Sequence, residues 1–164
     1  MATFSFVSVR LSWYSLIFFG LVLTQVECLK DASIDRIFTE EELSSYIGEN
    51  DGPIYLSVLG EVYDVSTGKD FYAAGSGYSY FAGKDGTVAF FSGEFEDTTE
   101  KKNILDYKPN QIAAMEEWRA FYEDHETYFF VGKLEGDFYD SKGHPTQYLN
   151  DIKEKLNIKE EKDL

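Results

Sequence analysis

Residues 67–93, TGKDFYAAGSGYSYFAGKDGTVAFFSG, constrain this chain more than any other stretch. Six glycines are interleaved here with tyrosines and phenylalanines. Glycine-rich backbone has little propensity for helix or strand, so the segment reads as a shaped loop with short helical turns. The composition argues for a packed domain: 17% of the 164 residues are aromatic, with 12 Tyr and 14 Phe. That is enough for one domain with its own core, without disulfide or metal staples. The chain carries 15 Lys+Arg against 30 Asp+Glu, a formal charge of −15. Phosphate contacts need clustered bases, so nucleic-acid binding is excluded as the main activity, and adhesion to anionic lipid is disfavoured. Basic protein surfaces are the favoured partners.

The N-terminus points to a secretory route. Leu11–Val26 is apolar and is preceded by a segment whose only charge is Arg10. Sixteen residues that include Ser, Thr, Gln and Tyr are short for a bilayer, which takes about 20 mostly apolar residues. Residues 1–28 are therefore expected to be a signal peptide cut near Cys28, with an uncleaved anchor as the rival reading. No stable membrane span is expected, and the destination is extracellular. The terminal Lys162-Asp163-Leu164 only loosely echoes an endoplasmic-reticulum retrieval signal. Cys28 is the only cysteine, so there is no disulfide framework.

Thr39-Glu40-Glu41-Glu42 has the form of a capping box, predicting a helix to about Tyr46 that stops at Gly48. Residues 54–66 read as two short strands around Leu59-Gly60, with Ile54, Leu56 and Val58 alternating toward one face. Residues 95–108 look like a polar connector. Asn110 is a candidate cap for a helix whose apolar stripe is Ile112, Met115, Trp118 and Phe121 or Tyr122. Tyr128–Leu134 is a strand candidate. Thr146 opens a last amphipathic helix with Leu149, Ile152 and Leu156 on one face. The expected organisation is a domain over 36–135 followed by a helical extension over 136–164.

Most catalytic signatures are missing. His125 and His144 are the only histidines, with no HExxH pair and no cysteine cluster to hold zinc. Neither a phosphate-binding GxxxxGK[ST] loop nor a GxSxG elbow occurs, and both histidines read as surface residues. What remains is a concentration of tyrosines at 63, 72, 78, 80 and 128. They are either ordinary core aromatics or the lining of a pocket for a flat, metal-bearing ligand. A phenolate is a competent axial ligand for ferric iron, and a second phenol can hydrogen-bond to it.

The segments TEEELSSY, PIYLSVLGEVYDVSTG, DFYAAGSGYSYFAGKDGT and TYFFVGKL occur in the order and spacing of the membrane-associated progesterone receptor family. The resemblance runs from about Phe38 to Leu134, and FYxxGSGYSYFAGKD is its most specific part. Among subgroups the chain resembles the neuferricins first and the neudesins second. The resemblance implies an α+β, cytochrome b5-like haem/steroid-binding fold: a small mixed sheet with short helices around a haem cleft. It also implies b-type haem (heme b) as cofactor, held without the paired histidines of true cytochromes b5. By position Tyr78 would be the iron ligand and Tyr72 would donate a hydrogen bond to it. Tyr128 would line the pocket near a propionate. Tyr80 is the competitor for the ligand role. Membrane-bound members of the family often carry a lysine where this chain has Thr127, so the resemblance implies one propionate contact fewer unless Lys84 or Lys133 replaces it.

An anionic oxygen ligand favours Fe(III) over Fe(II), so the resemblance implies a binding or signalling module rather than an electron carrier or an enzyme. For secreted members it implies neurotrophic-type activity. The rival expectation keeps the fold without iron, with a sterol-like ligand in the cleft or a basic protein partner or receptor on the acidic surface.

Overall fold

The computed structural model describes residues 36–95 and 102–160, with side chains through Leu156 in the last helix. The expected signal peptide and the terminal Lys-Asp-Leu lie outside the described residues. Four strands form one mixed sheet in the order β1-β4-β3-β2. They are β1 (Ile37–Phe38), β2 (Tyr55–Val58), β3 (Glu61–Asp64) and β4 (Phe129–Leu134). β2 and β3 form the expected hairpin, and β3 pairs antiparallel with β4 through an irregularity at Val62/Tyr63. β1 runs parallel to β4, pairing Ile37 with Lys133. At the hairpin tip both Leu59 (φ 51°) and Gly60 (φ 76°) are left-handed, the conformation a two-residue type I′ turn requires. Leu59 tolerates it because the turn is tied down. Its N–H donates to Thr87 Oγ1 at 2.7 Å, and its side chain is buried.

The helices are α1 (Glu40–Leu43), α2 (Lys69–Tyr72), α3 (Thr87–Ser92), α4 (Pro109–Asp124) and α5 (Gln147–Glu160). α1 starts as predicted, with Thr39 Oγ1 accepting the Glu42 N–H at 3.1 Å. The Glu42 carboxylate does not complete the box and pairs instead with Arg36 at 2.5 Å. The helix also stops early. The Ser44 and Ser45 hydroxyls donate back to Glu41 O and Glu42 O, competing with continuation of the helix. α4 begins at Pro109 rather than behind an Asn110 cap, because the proline ring sets φ for the first helical position. Gln111 Oε1 accepts the Lys108 N–H at 3.0 Å and closes that end.

The main core lies between the sheet and α3, α4 and α5, and contains Leu56, Val58, Tyr63, Phe81, Ile112, Met115, Tyr122, Leu149 and Ile152. Phe138 and Tyr139, also beyond residue 135, belong to the same cluster. A smaller cluster of Phe38, Leu43, Val62 and Leu134 forms a second core.

The glycine-rich loop is anchored to the β2 edge by backbone bonds: Gly83 N to Tyr55 O (2.7 Å), Ser57 N to Lys84 O (2.9 Å) and Gly86 N to Ser57 O (2.8 Å). Asp85 secures it further, accepting from Ser57 Oγ at 2.6 Å and from the Thr87 N–H at 3.1 Å. Burial pushes the Asp85 carboxyl above the usual range, and these donors offset part of that.

Candidate functional site

α2 and the loop after it place an inward and an outward aromatic side by side. Tyr72 is buried, while its neighbour Phe71 is 55% exposed. The chain then reverses through Gly75, left-handed at φ +88°, and the Tyr78 N–H donates to Phe71 O at 3.0 Å. This returns Tyr78 to α2 with its ring centroid 6.2 Å from that of Tyr72. Tyr78 is 47% exposed, and among the described residues its hydroxyl has no hydrogen-bond partner.

Tyr128, at the entry to β4, packs edge-on to Tyr72 at 6.1 Å. Its hydroxyl sits against the backbone of Gly68, where an added Cβ would come within 2.5 Å of it. Thr67 and Thr127 hold the two segments together, with Oγ1 atoms 3.0 Å apart and Thr67 Oγ1 donating to Thr127 O at 3.1 Å. Gly68→Ala is therefore expected to displace the Tyr128 hydroxyl and lower affinity for whatever occupies the cleft. Titration of the variant against wild type with the same ligand checks this.

The structure thus brings Tyr72, Tyr78 and Tyr128 together. It separates Tyr80, whose ring packs on Phe81 and Phe95 under the Lys84 ammonium at 4.7 Å. Tyr80 lies on the wall of a cavity of about 450 Å³ between α1, α3 and residues 134–138, which is lined by none of Tyr72, Tyr78 and Tyr128. Lys84 and Lys133 do not reach Tyr128. Lys133 Nζ donates to Gly143 O at 2.9 Å and lies over the Tyr139 ring.

Three residues join the cluster without having been singled out for it. The Tyr122 hydroxyl, from α4, lies 2.8 Å from that of Tyr72. His125 stacks on Tyr128 at 3.7 Å, nearly parallel, and its Nδ1 accepts the Thr127 N–H at 3.2 Å. Phe121, 45% exposed, packs on both Tyr122 and His125. A shallow cavity of about 430 Å³ runs beside them, walled by Phe121, Asp124, His125, Glu126 and Thr127. Burial pushes the Tyr72 phenol up to about 12, with the Tyr122 hydrogen bond working against the rise. Burial raises the Tyr122 phenol further. Both buried phenols are neutral hydrogen-bonding groups near pH 7, and Tyr78 is the accessible oxygen of the set.

The mixed four-stranded sheet with its short helices, and the tyrosines it brings side by side, define a cytochrome b5-like domain. A family model described as "Cytochrome b5-like Heme/Steroid binding domain" matches residues 39–135. More particularly, the chain belongs to that family as a neuferricin-like member of the membrane-associated progesterone receptor group. A neuferricin homolog of Drosophila pseudoobscura pseudoobscura is 46% identical over 116 residues, covering 70% of this chain and 40% of that protein. Membrane-associated progesterone-binding protein 4 of Arabidopsis thaliana is 40% identical, covering 74% and 49%. Neuferricin of Xenopus tropicalis is 38% identical, covering 78% and 46%. The chain spans about half the length of the curated relatives it matches. Among solved structures, a hypothetical protein of Arabidopsis thaliana with a cytochrome b5 like fold aligns with a TM-score of 0.53 at 33% identity, covering 62% of this chain and 93% of that one.

Proposed function

We propose that the chain is a haem-binding signalling module in which the Tyr78 oxygen is the iron ligand. The observation that carries this is the contrast among the phenols. Among the described residues Tyr78 alone of the clustered phenols is both accessible and unpaired, while Tyr72 stands buried beside it with its hydroxyl 2.8 Å from that of Tyr122. The exposed rings of Phe71 and Phe121 offer apolar faces to a planar ligand. Bound ferric b-type haem would supply a Lewis-acidic iron, strong enough to hold Tyr78 as phenolate at neutral pH. Tyr78 would hold the iron, Tyr72 would turn its proton toward that oxygen, and Tyr128 would form the adjoining wall.

Secretion through residues 1–28 and neurotrophic-type activity rest on the family resemblance and the apolar N-terminal sequence. Among the described residues no helix is long and apolar enough to cross a membrane. The acidic cluster at Glu40, Glu41, Glu42, Glu49 and Asp51 suits a basic protein partner or receptor.

Thr127 favours a second reading, in which the cleft takes a sterol-like ligand and no iron. Its hydroxyl is occupied by Thr67, and the adjoining cavity wall holds two carboxylates and no lysine or arginine to meet a propionate. Absorption spectra of the purified protein, with and without added haemin, decide between the two. A high-spin ferric tyrosinate spectrum is expected on haemin addition. A spectrum identical to free haemin would overturn the haem reading and leave the sterol-like ligand.

A further inference from the structure

We propose that Tyr122 of α4 is a positioning residue: it donates its hydroxyl proton to the Tyr72 oxygen and so directs the Tyr72 proton toward Tyr78. This inference rests on the reading of Tyr78 as the iron ligand. A phenol carries one proton and can accept through its oxygen. The Tyr122 and Tyr72 oxygens are 2.8 Å apart, and distance alone does not say which one donates. The surroundings do. Tyr122 is 1% exposed, and among the described residues Tyr72 is the only hydrogen-bond partner of its hydroxyl. If Tyr72 donated to Tyr122, the Tyr122 proton would be left buried without an acceptor, the costly arrangement that folded proteins avoid. With Tyr122 as donor, the Tyr72 proton is free for the outward phenols: Tyr128, with which Tyr72 also shares a side-chain hydrogen bond, and Tyr78, whose ring lies 6.2 Å from its own.

Tyr122 is well placed to enforce this direction. Its ring is held between Tyr63, Phe90 and Tyr128, at centroid distances of 5.6, 5.7 and 5.9 Å, so its hydroxyl has little freedom to swing away. A phenol that accepts a hydrogen bond is also a better donor, because chains of hydrogen bonds polarise one another. Tyr122 therefore strengthens the hydrogen bond that Tyr72 gives to the ligand oxygen, although it stands outside contact with that oxygen. Three phenols act in series, from a rigid helix to an exposed loop.

The test is Tyr122→Phe in the full chain, reconstituted with ferric haemin and compared with Tyr72→Phe and the double variant. A hydrogen bond to a phenolate ligand withdraws electron density, so weakening it makes the ligand a stronger donor to ferric iron. Tyr122→Phe is expected to move the midpoint potential to a more negative value and to shift the tyrosinate charge-transfer band. Both shifts should follow the direction seen in Tyr72→Phe and be smaller. The double variant should shift no further than Tyr72→Phe alone. A lowered melting temperature with potential and band unmoved would reduce Tyr122 to a packing residue, and additive shifts would overturn the series arrangement. Proton NMR of the unloaded full chain gives a haem-independent readout. A slowly exchanging hydroxyl proton assigned to Tyr122 is expected, and its assignment to Tyr72 would reverse the donor and overturn the proposal. Loss of the haem signal in Tyr78→Phe, together with unmoved parameters in Tyr122→Phe, would fail this inference while leaving the ligand assignment intact.

Discussion

Tyr78→Phe is expected to abolish the ferric tyrosinate spectrum and to weaken haem retention more than any other single substitution. The change removes one oxygen from a half-exposed ring, so the fold should hardly notice: surface substitutions of this kind usually stay within ±0.5 kcal/mol. The iron would lose its anionic donor, and none of the neighbouring phenols is placed to replace it. Tyr72 is buried and already paired with Tyr122, and Tyr80 stands on the wall of a separate cavity beneath Lys84. Losing an outer hydrogen-bond partner of a metal ligand typically costs about 10–100-fold in affinity, and losing the ligand itself should cost more. Haemin titration with the melting temperature measured in parallel separates the two effects. Full haem retention with an unchanged spectrum at unchanged stability would sink the assignment.

The elements legible from the residues were those whose signals are local. Period-two alternation at Ile54, Leu56 and Val58 gave the first strand of the hairpin, and Leu59-Gly60 marked its turn. The apolar spacings at Ile112, Met115 and Tyr122, and at Leu149 and Ile152, gave two buried helix faces. β1 was not legible, because a two-residue strand has no period of its own and exists only through parallel pairing with β4, nearly a hundred residues on. In the site, the glycine-rich loop announced a cluster of phenols but could not separate Tyr78 from Tyr80. The short turn at Ser79–Phe81 places Phe81 between them, so one ring packs on Tyr72 and the other on Phe95. Tyr122 had a signal that could have been used: a tyrosine on a buried helical stripe must find a hydroxyl partner, and a tyrosine cluster was already in view. His125 had none. Its stacking on Tyr128 depends on how the α4–β4 connection folds back, which no periodicity encodes.

Ending the chain at Glu135, where the family model stops, is expected to leave a product that does not unfold cooperatively. Read from sequence, residues 136–164 look like an appendage, yet Phe138, Tyr139, Leu149 and Ile152 are all buried in the principal core. At about 1.5–3 kcal/mol for each large apolar side chain taken from water, these four contribute roughly 6–12 kcal/mol. Net stabilities of single domains are only about 5–15 kcal/mol, so the loss is of the same size as the whole. Polar ties go as well. The Tyr148 hydroxyl accepts the Ile104 N–H at 2.7 Å, and Lys155 Nζ donates to Leu105 O and Tyr107 O, holding the connector that leads into α4. Tyr107 in turn packs on Phe91 of α3, and Phe90 of the same helix packs on Tyr122, so the damage reaches the wall behind Tyr72. Ile152→Ala supplies the graded control: an expected loss of about 2–5 kcal/mol with a cooperative transition retained. Denaturant unfolding followed by circular dichroism compares the three proteins. A truncated chain with a cooperative transition at the full-length midpoint would show that the cytochrome b5-like core stands without the C-terminal segment.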